Sequence, residues 1–256
     1  MRTLALLVGA VLLGGCEQNA IQIDDITAPV TGARVKFFNF AVNAPQVNFF
    51  AGTSKVTAIS STTGVESTVG VAYGSAGASG FYTAIPAGQV AFSGRISATV
   101  DNGLPIATVN AQVADGKAYS VYLSGFYNTT TKAAEGFVVE DNFPDTFDYA
   151  GALVRFVNAS SNSAPMQLLL RNTTTAAETP VGTTVAYKAG GAFVAFPVGG
   201  YDLITRTAGS TTNLITRTAV ALSAGRVYTI TVRGDMTLPS TGTATNRPFL
   251  DVTANR

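Results

Sequence analysis

Short runs of alternating apolar and polar positions, broken by turn residues, dominate the pattern along this chain. In the segment ARVKFFNF, residues 33–40, Val35, Phe37 and Asn39 alternate with Lys36, Phe38 and Phe40, as the two sides of a strand do. Further short runs follow at Gln89 to Phe92 and Tyr119 to Leu123. Between them stand Asp101-Asn102-Gly103, Asp115-Gly116 and Gly199-Gly200, turn chemistry because Gly and Asn tolerate positive φ. No segment sustains a helical period with caps. The pattern predicts an all-β chain.

The pattern also occurs twice. ARVKFFNF (33–40) returns as ALVRFVNA (152–159), and Ala44-Pro45 returns as Ala164-Pro165. Val71-Ala72-Tyr73 matches Val185-Ala186-Tyr187, and Ile85-Pro86-Ala87-Gly88 matches Phe196-Pro197-Val198-Gly199. VADGKAYSVYLSG (113–125) matches LSAGRVYTITVRG (222–234). The order is the same and the spacing changes only between blocks, which is what strands retained and loops varied would produce. The organisation expected is therefore a β-sandwich over 33–139, a linker over 140–151 and a second sandwich over 152–237. A tail over 238–256 could dock as an extra strand. Tyr119 and Tyr228 each sit three residues after a turn glycine at the start of a strand. That placement resembles a tyrosine corner, in which the phenol bonds an upstream backbone group.

The first residues read as an address. Arg2 precedes Leu4 to Leu13, apolar except for Gly9 and shorter than the roughly 20 residues a spanning helix needs, so residues 1–15 read as an export signal. Leu13-Gly14-Gly15-Cys16 resembles the lipobox of bacterial lipoproteins. By that resemblance Cys16 is the lipidation site, becoming a mature N-terminus that carries a diacylglycerol and a third acyl chain. At about 0.8 kcal/mol per buried methylene, several chains make a durable membrane anchor. Glu17 follows, rather than the Asp that would mark inner-membrane retention, so the outer membrane is expected in a Gram-negative envelope. Residues 16–32 read as a flexible polar tether. Its Asp24-Asp25 pair lacks the spaced ligands of a calcium loop.

Composition narrows the chemistry. Only 12% of residues are charged, about half the usual share, so Thr, Ser and Asn must carry solubility. Net charge is +1 with no basic stripe, which argues against nucleic acid. With no His and one Cys, neither a Ser-His nor a Cys-His pair can be assembled, and no disulfide can form within the chain. Asp101, Asp115, Asp202 and Asp235 could on paper supply a carboxylate pair, but none lies in a motif. No catalytic residue is expected. Glu140, Asp141, Asp145 and Asp148 cluster in EDNFPDTFDYAG at spacings that match no calcium loop. With Phe143, Pro144 and Phe147 they read as an acidic, partly packed hinge, and no metal or cofactor is expected. Leu238 to Gly242 spells a sortase-type LPxTG without the apolar stretch such a signal needs, so it reads as a turn. The Asn-x-Ser/Thr triplets at Asn128, Asn158 and Asn172 read as polar loop positions.

Four repeated signals, A-x-V-[KR]-F, Ala-Pro, V-A-Y and the P-x-G and G-x-x-Y blocks, resemble the bacterial domain-of-unknown-function family 4397. The resemblance implies secreted or envelope-attached tandem domains with an immunoglobulin-like β-sandwich fold, and it brings no catalytic residue or cofactor. Family members commonly carry a His and an Asp before Ala-Pro, where this chain has FAVN (40–43) and ASSNS (159–163). The expected whole is two tandem immunoglobulin-like sandwiches after a signal peptide and tether. Its expected role is that of a non-catalytic, lipid-anchored envelope protein that contacts an envelope protein through loops or sheet edges. The alternative is a polysaccharide-binding module using Phe50, Tyr82, Tyr127 and Tyr149, weakened by the absence of Trp.

Overall fold

Alternation along the opening strand decides what the first core contains. The computed structural model describes residues 31–57, 69–144 and 146–255. Cys16 and the rest of residues 1–30 lie outside the described residues, as does Asp145 of the linker. The first sandwich runs through β1 (Ala33–Asn39), β2 (Val47–Ala51), β3 (Ser54–Lys55), β4 (Ser75–Ala76), β5 (Thr83–Ile85), β6 (Gly88–Ile96), β7 (Pro105–Val113), β8 (Ala118–Asn128) and β9 (Ala133–Glu140). One sheet has the order β4-β1-β8-β9, with β5 also on β1, and the other β3-β2-β6-β7. Val35 and Phe37 of β1 and Val121 and Leu123 of β8 face Val47, Phe49 and Phe92 across the gap. The Phe37 ring lies 5.2 Å from Phe49 and 5.9 Å from Phe92.

The second half repeats this pairing by pairing. Its strands are β10 (Gly151–Asn158), β11 (Met166–Asn172), β12 (Glu178–Pro180), β13 (Ala189–Gly190), β14 (Val194–Pro197), β15 (Gly199–Thr207), β16 (Ile215–Leu222), β17 (Val227–Arg233) and β18 (Phe249–Ala254). Its sheets have the orders β13-β10-β17-β18, with β14 on β10, and β12-β11-β15-β16. In both halves the first strand lies parallel to the eighth, Arg34 opposite Ala118 in one and Leu153 opposite Val227 in the other. A parallel neighbour needs a long crossover, and here the rest of the sandwich supplies it. The chain is all-β and consists of two sandwiches in tandem. The ninth strand of the second lies within the C-terminal tail, paired antiparallel to β17.

The repeated motifs have local physical causes. Gly116 and Gly225 turn the chain at φ 72° and 70°, and the tyrosine three residues later reaches back. Tyr119 accepts the Ala114 N–H at 3.1 Å and Tyr228 the Ser223 N–H at 3.2 Å, the bond of a tyrosine corner. Asn39 at the end of β1 donates to the carbonyls of Val71 at 2.9 Å and Pro45 at 3.2 Å. Asn158 likewise donates to the Val185 carbonyl at 3.3 Å. The valine of each V-A-Y block bridges the start of the second strand, Val71 to Val47 and Val185 to Met166. Strand, Ala-Pro and V-A-Y are therefore one hydrogen-bonded corner, made twice.

The two sandwiches are not separated by the linker. The outer faces of β1, β8 and β9 bury Phe38, Tyr122 and Phe137 against Val157 and Ala159 of the second copy. Residues 31–256 thus form one compact unit, with the sheet containing β1 stacked on the sheet containing β10. The alternation in ARVKFFNF predicts one core face for β1, whereas both faces are covered. Phe38 is 3% exposed and Lys36 only 2%.

Candidate functional site

Two cations stand at the centre of the face between the copies, at matching positions of the repeat. Lys36, on the outer face of β1, donates to the Ala254 carbonyl at 2.6 Å and to the Asn255 side-chain oxygen at 3.2 Å. Arg155, on the outer face of β10, donates to the Glu140 carbonyl at 2.9 Å and forms an ion pair with Asp141. Tyr119 pairs with Glu140 in one sheet and Tyr228 with Ala254 in the other, so Glu140 and Ala254 are counterparts, as are Asp141 and Asn255. Each cation therefore grips the end of the other sandwich's last strand. The contact is isologous in form, a two-fold interface built within one chain.

Further polar groups at this face are hydrogen-bonded, although among the described residues the buried hydroxyls of Tyr73 and Tyr122 have no partner. Asp141, 3% exposed, accepts hydrogen bonds from Ser120 at 2.8 Å and Tyr82 at 2.7 Å besides its ion pair. Arg155 also donates to Thr229 at 2.9 Å, and Asn255 donates to the same hydroxyl at 2.7 Å. Burial lowers the Lys36 ammonium to about 8, with Asp141 pulling it up and Arg155 pushing it down. Burial likewise raises Tyr122 to about 12. It also raises Tyr82, with the Asp141 charge adding to the effect. The tyrosines of the V-A-Y blocks cross in the same reciprocal manner. Tyr187 shares a hydrogen bond with Ser124 at 2.8 Å, and Tyr73 packs under the Arg233 guanidinium, 5.0 Å away. Arg233 is in turn paired with Asp251 at 2.5 Å.

Beside each cation lies a ring and a groove. Lys36 sits 4.4 Å over the Tyr82 ring and Arg155 4.9 Å over Phe193, and the β5 and β14 registers make those two aromatics counterparts. Next to Tyr82 the edge of β18 and the segment from Ser79 to Tyr82 enclose a groove of about 560 Å³. Next to Phe193 its counterpart is a groove of about 410 Å³, lined by Asn142 and Pro144 of the linker.

The carboxylates weighed as catalytic candidates do not converge on one another. Asp101 pairs with Lys132 at 3.0 Å, and Asp115 accepts the Gly32 N–H. Asp202 binds Arg171 at 2.7 Å, and that bond holds its carboxyl below the usual range. Asp235 accepts from Asn162 at 2.7 Å and from the Thr237 N–H at 3.0 Å. In the acidic linker Asp141 is buried, Glu140 lies 3.4 Å from Lys117, and Asp148 accepts the Ala150 N–H at 2.9 Å. Among the described residues no three acidic or cysteine side chains converge in a metal-binding group. Leu238 to Gly242 runs in the loop between β17 and β18. Asn128 and Asn172 accept backbone N–H groups of the turns that follow them, and Asn158 is fully buried.

The aromatics named for sugar stacking are scattered. Phe50 lies under Arg95 at 4.3 Å, Tyr127 packs on the first core, and Tyr149 lies tilted against Phe147 at 4.8 Å. Tyr82 is held at the inter-copy face. Lys36 and Arg155 belong to no chemical motif, although the repeat marks them: a cation recurs in the middle of a mostly apolar strand.

No family model matches the chain, and no curated protein matches it. Among solved structures the chain is similar to a Bacteroides eggerthii protein assigned by inference to cell adhesion. The match has 11% identity and a TM-score of 0.23 and covers 89% of this chain and 97% of that one. That likeness is too slight to assign fold or role. The class of the protein follows from its own coordinates, a tandem β-sandwich protein closed by an internal two-fold interface. Among the described residues no helix is long and apolar enough to cross a membrane.

Proposed function

We propose that this chain is a non-catalytic cell-envelope protein, anchored by a lipid on Cys16, that serves as a structural or protein-interaction module related to the domain-of-unknown-function family 4397. The observation that carries the reading is the use made of the polar groups. The buried cations and the buried carboxylate hold the two sandwiches together, and the surface carboxylates cap turns or pair across strands. A rigid double sandwich of this kind offers its surroundings loops, sheet edges and grooves rather than a reaction centre. β7 and β16 are edge strands of the two outer sheets, and the outward residues of β7 are Thr108, Asn110 and Gln112. A hydroxyl-rich and amide-rich edge suits contact with protein at a surface.

Two measurements test the reading. Affinity capture from detergent-solubilised envelopes is expected to recover a specific protein partner, and a preparation with nothing attached counts against an interaction role. Mass spectrometry of the N-terminal peptide is expected to find Cys16 acylated, with Cys16→Ser released into the soluble fraction. A bare thiol at residue 16 removes the anchor.

A further inference from the structure

The two cation positions of the shared face carry unlike chemistry. Arg155 is permanently charged and meets a carboxylate, so that end is an ion pair. At the other end Lys36, a primary amine, meets the primary carboxamide of Asn255, with Nζ 3.2 Å from Oδ1. An amine and a carboxamide can exchange, giving a new amide and ammonia. Lys36 lies on the first strand of one sandwich, and Asn255 directly follows the last strand of the other.

The surroundings favour that exchange. Lys36 is 2% exposed, and the Ala254 carbonyl fixes its amine at 2.6 Å. Holding two reacting groups in contact replaces a chance encounter and is worth several orders of magnitude in rate. Burial brings the amine down to about 8, so far more of it is neutral and nucleophilic than in an exposed lysine. The charged groups around it are Asp141, Arg155, Arg226 and Asp251, and none of them is hydrogen-bonded to the amine. On the far side of the carboxamide, Nδ2 donates to the Thr229 hydroxyl at 2.7 Å. Among the described residues only Lys36 itself donates to Oδ1. An oxyanion formed there has no prepared donors, which makes the step slow.

We propose that Lys36 and Asn255 close into an isopeptide bond that joins the two sandwiches covalently across their shared face. The neutral Nζ attacks Cγ of Asn255 and the Nζ–Cγ bond forms. The Cγ–Nδ2 bond then breaks, and Nδ2 leaves as ammonia with the proton that Nζ gives up. Thr229 is the hydroxyl placed against Nδ2 to pass that proton. No oxidant or other reactant is consumed. The hydrogen-bonded pair is the unlinked state. A chain freshly folded at neutral pH, where the amine is mostly an ammonium, stays in that state through an unfolding measurement, and the bond accumulates as the folded protein ages.

The test uses the full-length protein with a protease site placed among residues 146–150. It is aged in the folded state at about pH 9, above the Lys36 pKa, then cut and separated in denaturant. The halves should part before ageing and stay joined after it, with the intact mass lower by one ammonia. Trypsin should release a branched peptide joining residues 35–55 to residues 234–256. Lys36→Arg, which keeps the charge without a primary amine, and Asn255→Ala should each abolish the joining. Halves that part after ageing overturn the proposal even if ammonia has been lost, since that loss is then ring closure of Asn255 onto its own backbone. Halves that stay joined in Lys36→Arg place the link elsewhere and overturn it as well.

Discussion

Lys36 and Arg155 stand 119 residues apart in the chain and at the same point of the fold, each reaching from one sandwich to the last strand of the other. The reciprocity is of the kind a symmetric dimer shows, in which one patch meets itself. Duplication has since let the halves differ. Arg155 faces the carboxylate of Asp141, whereas Lys36 faces the neutral amide of Asn255. One side is a satisfied buried ion pair. The other holds a buried ammonium with neutral acceptors and the Tyr82 ring for company.

Breaking the ion pair should be costly. Asp141→Ala leaves the Arg155 guanidinium, 1% exposed, without its counter-charge and strands the Ser120 and Tyr82 hydroxyls. The expected loss is about 3–5 kcal/mol, read as a fall in the denaturant midpoint. Asp202→Asn, which removes one partner of the more exposed pair with Arg171, should cost about 1 kcal/mol or less. Equal losses at the two positions would contradict the role given to the inter-copy face.

Lys36 sets a pH signature. Its amine titrates near 8 in the folded chain against 10.5 when unfolded. Between those values the unfolded chain holds more protons, so stability rises with pH. Below 8 both states carry the charge and the burial cost is present in full. Near pH 10 and above, Tyr82, Tyr122 and Tyr187, all raised chiefly by burial, reverse the trend because the unfolded phenols ionise first. Urea midpoints should therefore climb from about pH 8 towards about pH 10 and then fall. Lys36→Met should flatten the climb, and a flat wild-type profile would refute the assignment.

Asn255→Asp gives Lys36 the partner that Arg155 already has. A carboxylate beside the ammonium holds it charged, raising its folded pKa and removing the climb above pH 8. The midpoint at neutral pH should rise, and an unchanged or lower midpoint would mean the two ends of the face are not equivalent.

The tyrosine corners should behave as a matched pair. Tyr119→Phe and Tyr228→Phe each leave one backbone N–H, of Ala114 or Ser223, without its acceptor. A loss of about 1–2 kcal/mol is expected for either. The sites share no partner, so the double variant should lose the sum.

Much of the internal frame was legible in the sequence. The turn glycine three residues before Tyr119 and Tyr228 marks a corner by its spacing, and Asn39 and Asn158 recur because each closes the same loop onto a valine carbonyl. The face between the copies was not legible by the same means. Strict alternation predicts one buried side, and Phe38, Phe40 and Tyr122 on the other side look like surplus apolar residues until a second sheet covers them. The missed signal was that surplus, read together with a cation recurring at its centre, for a strand buried on both faces loses its polar alternation. Asp141 was legible as acidic but not as buried, because its partner comes from a strand on the far side of the linker. The grooves could not be read at all, since each is formed by one copy's β18 or β9 edge lying beside the other copy.

The two sandwiches are joined by their outer faces and not merely by residues 140–151. A protease site placed among residues 146–150, exposed apart from the half-buried Phe147, allows the linker to be cut in the folded protein. After cleavage the halves are expected to elute together in size-exclusion chromatography at the mass of the intact chain and to part only in denaturant. Elution as two separate half-sized proteins under native conditions would mean that only the linker holds the halves together.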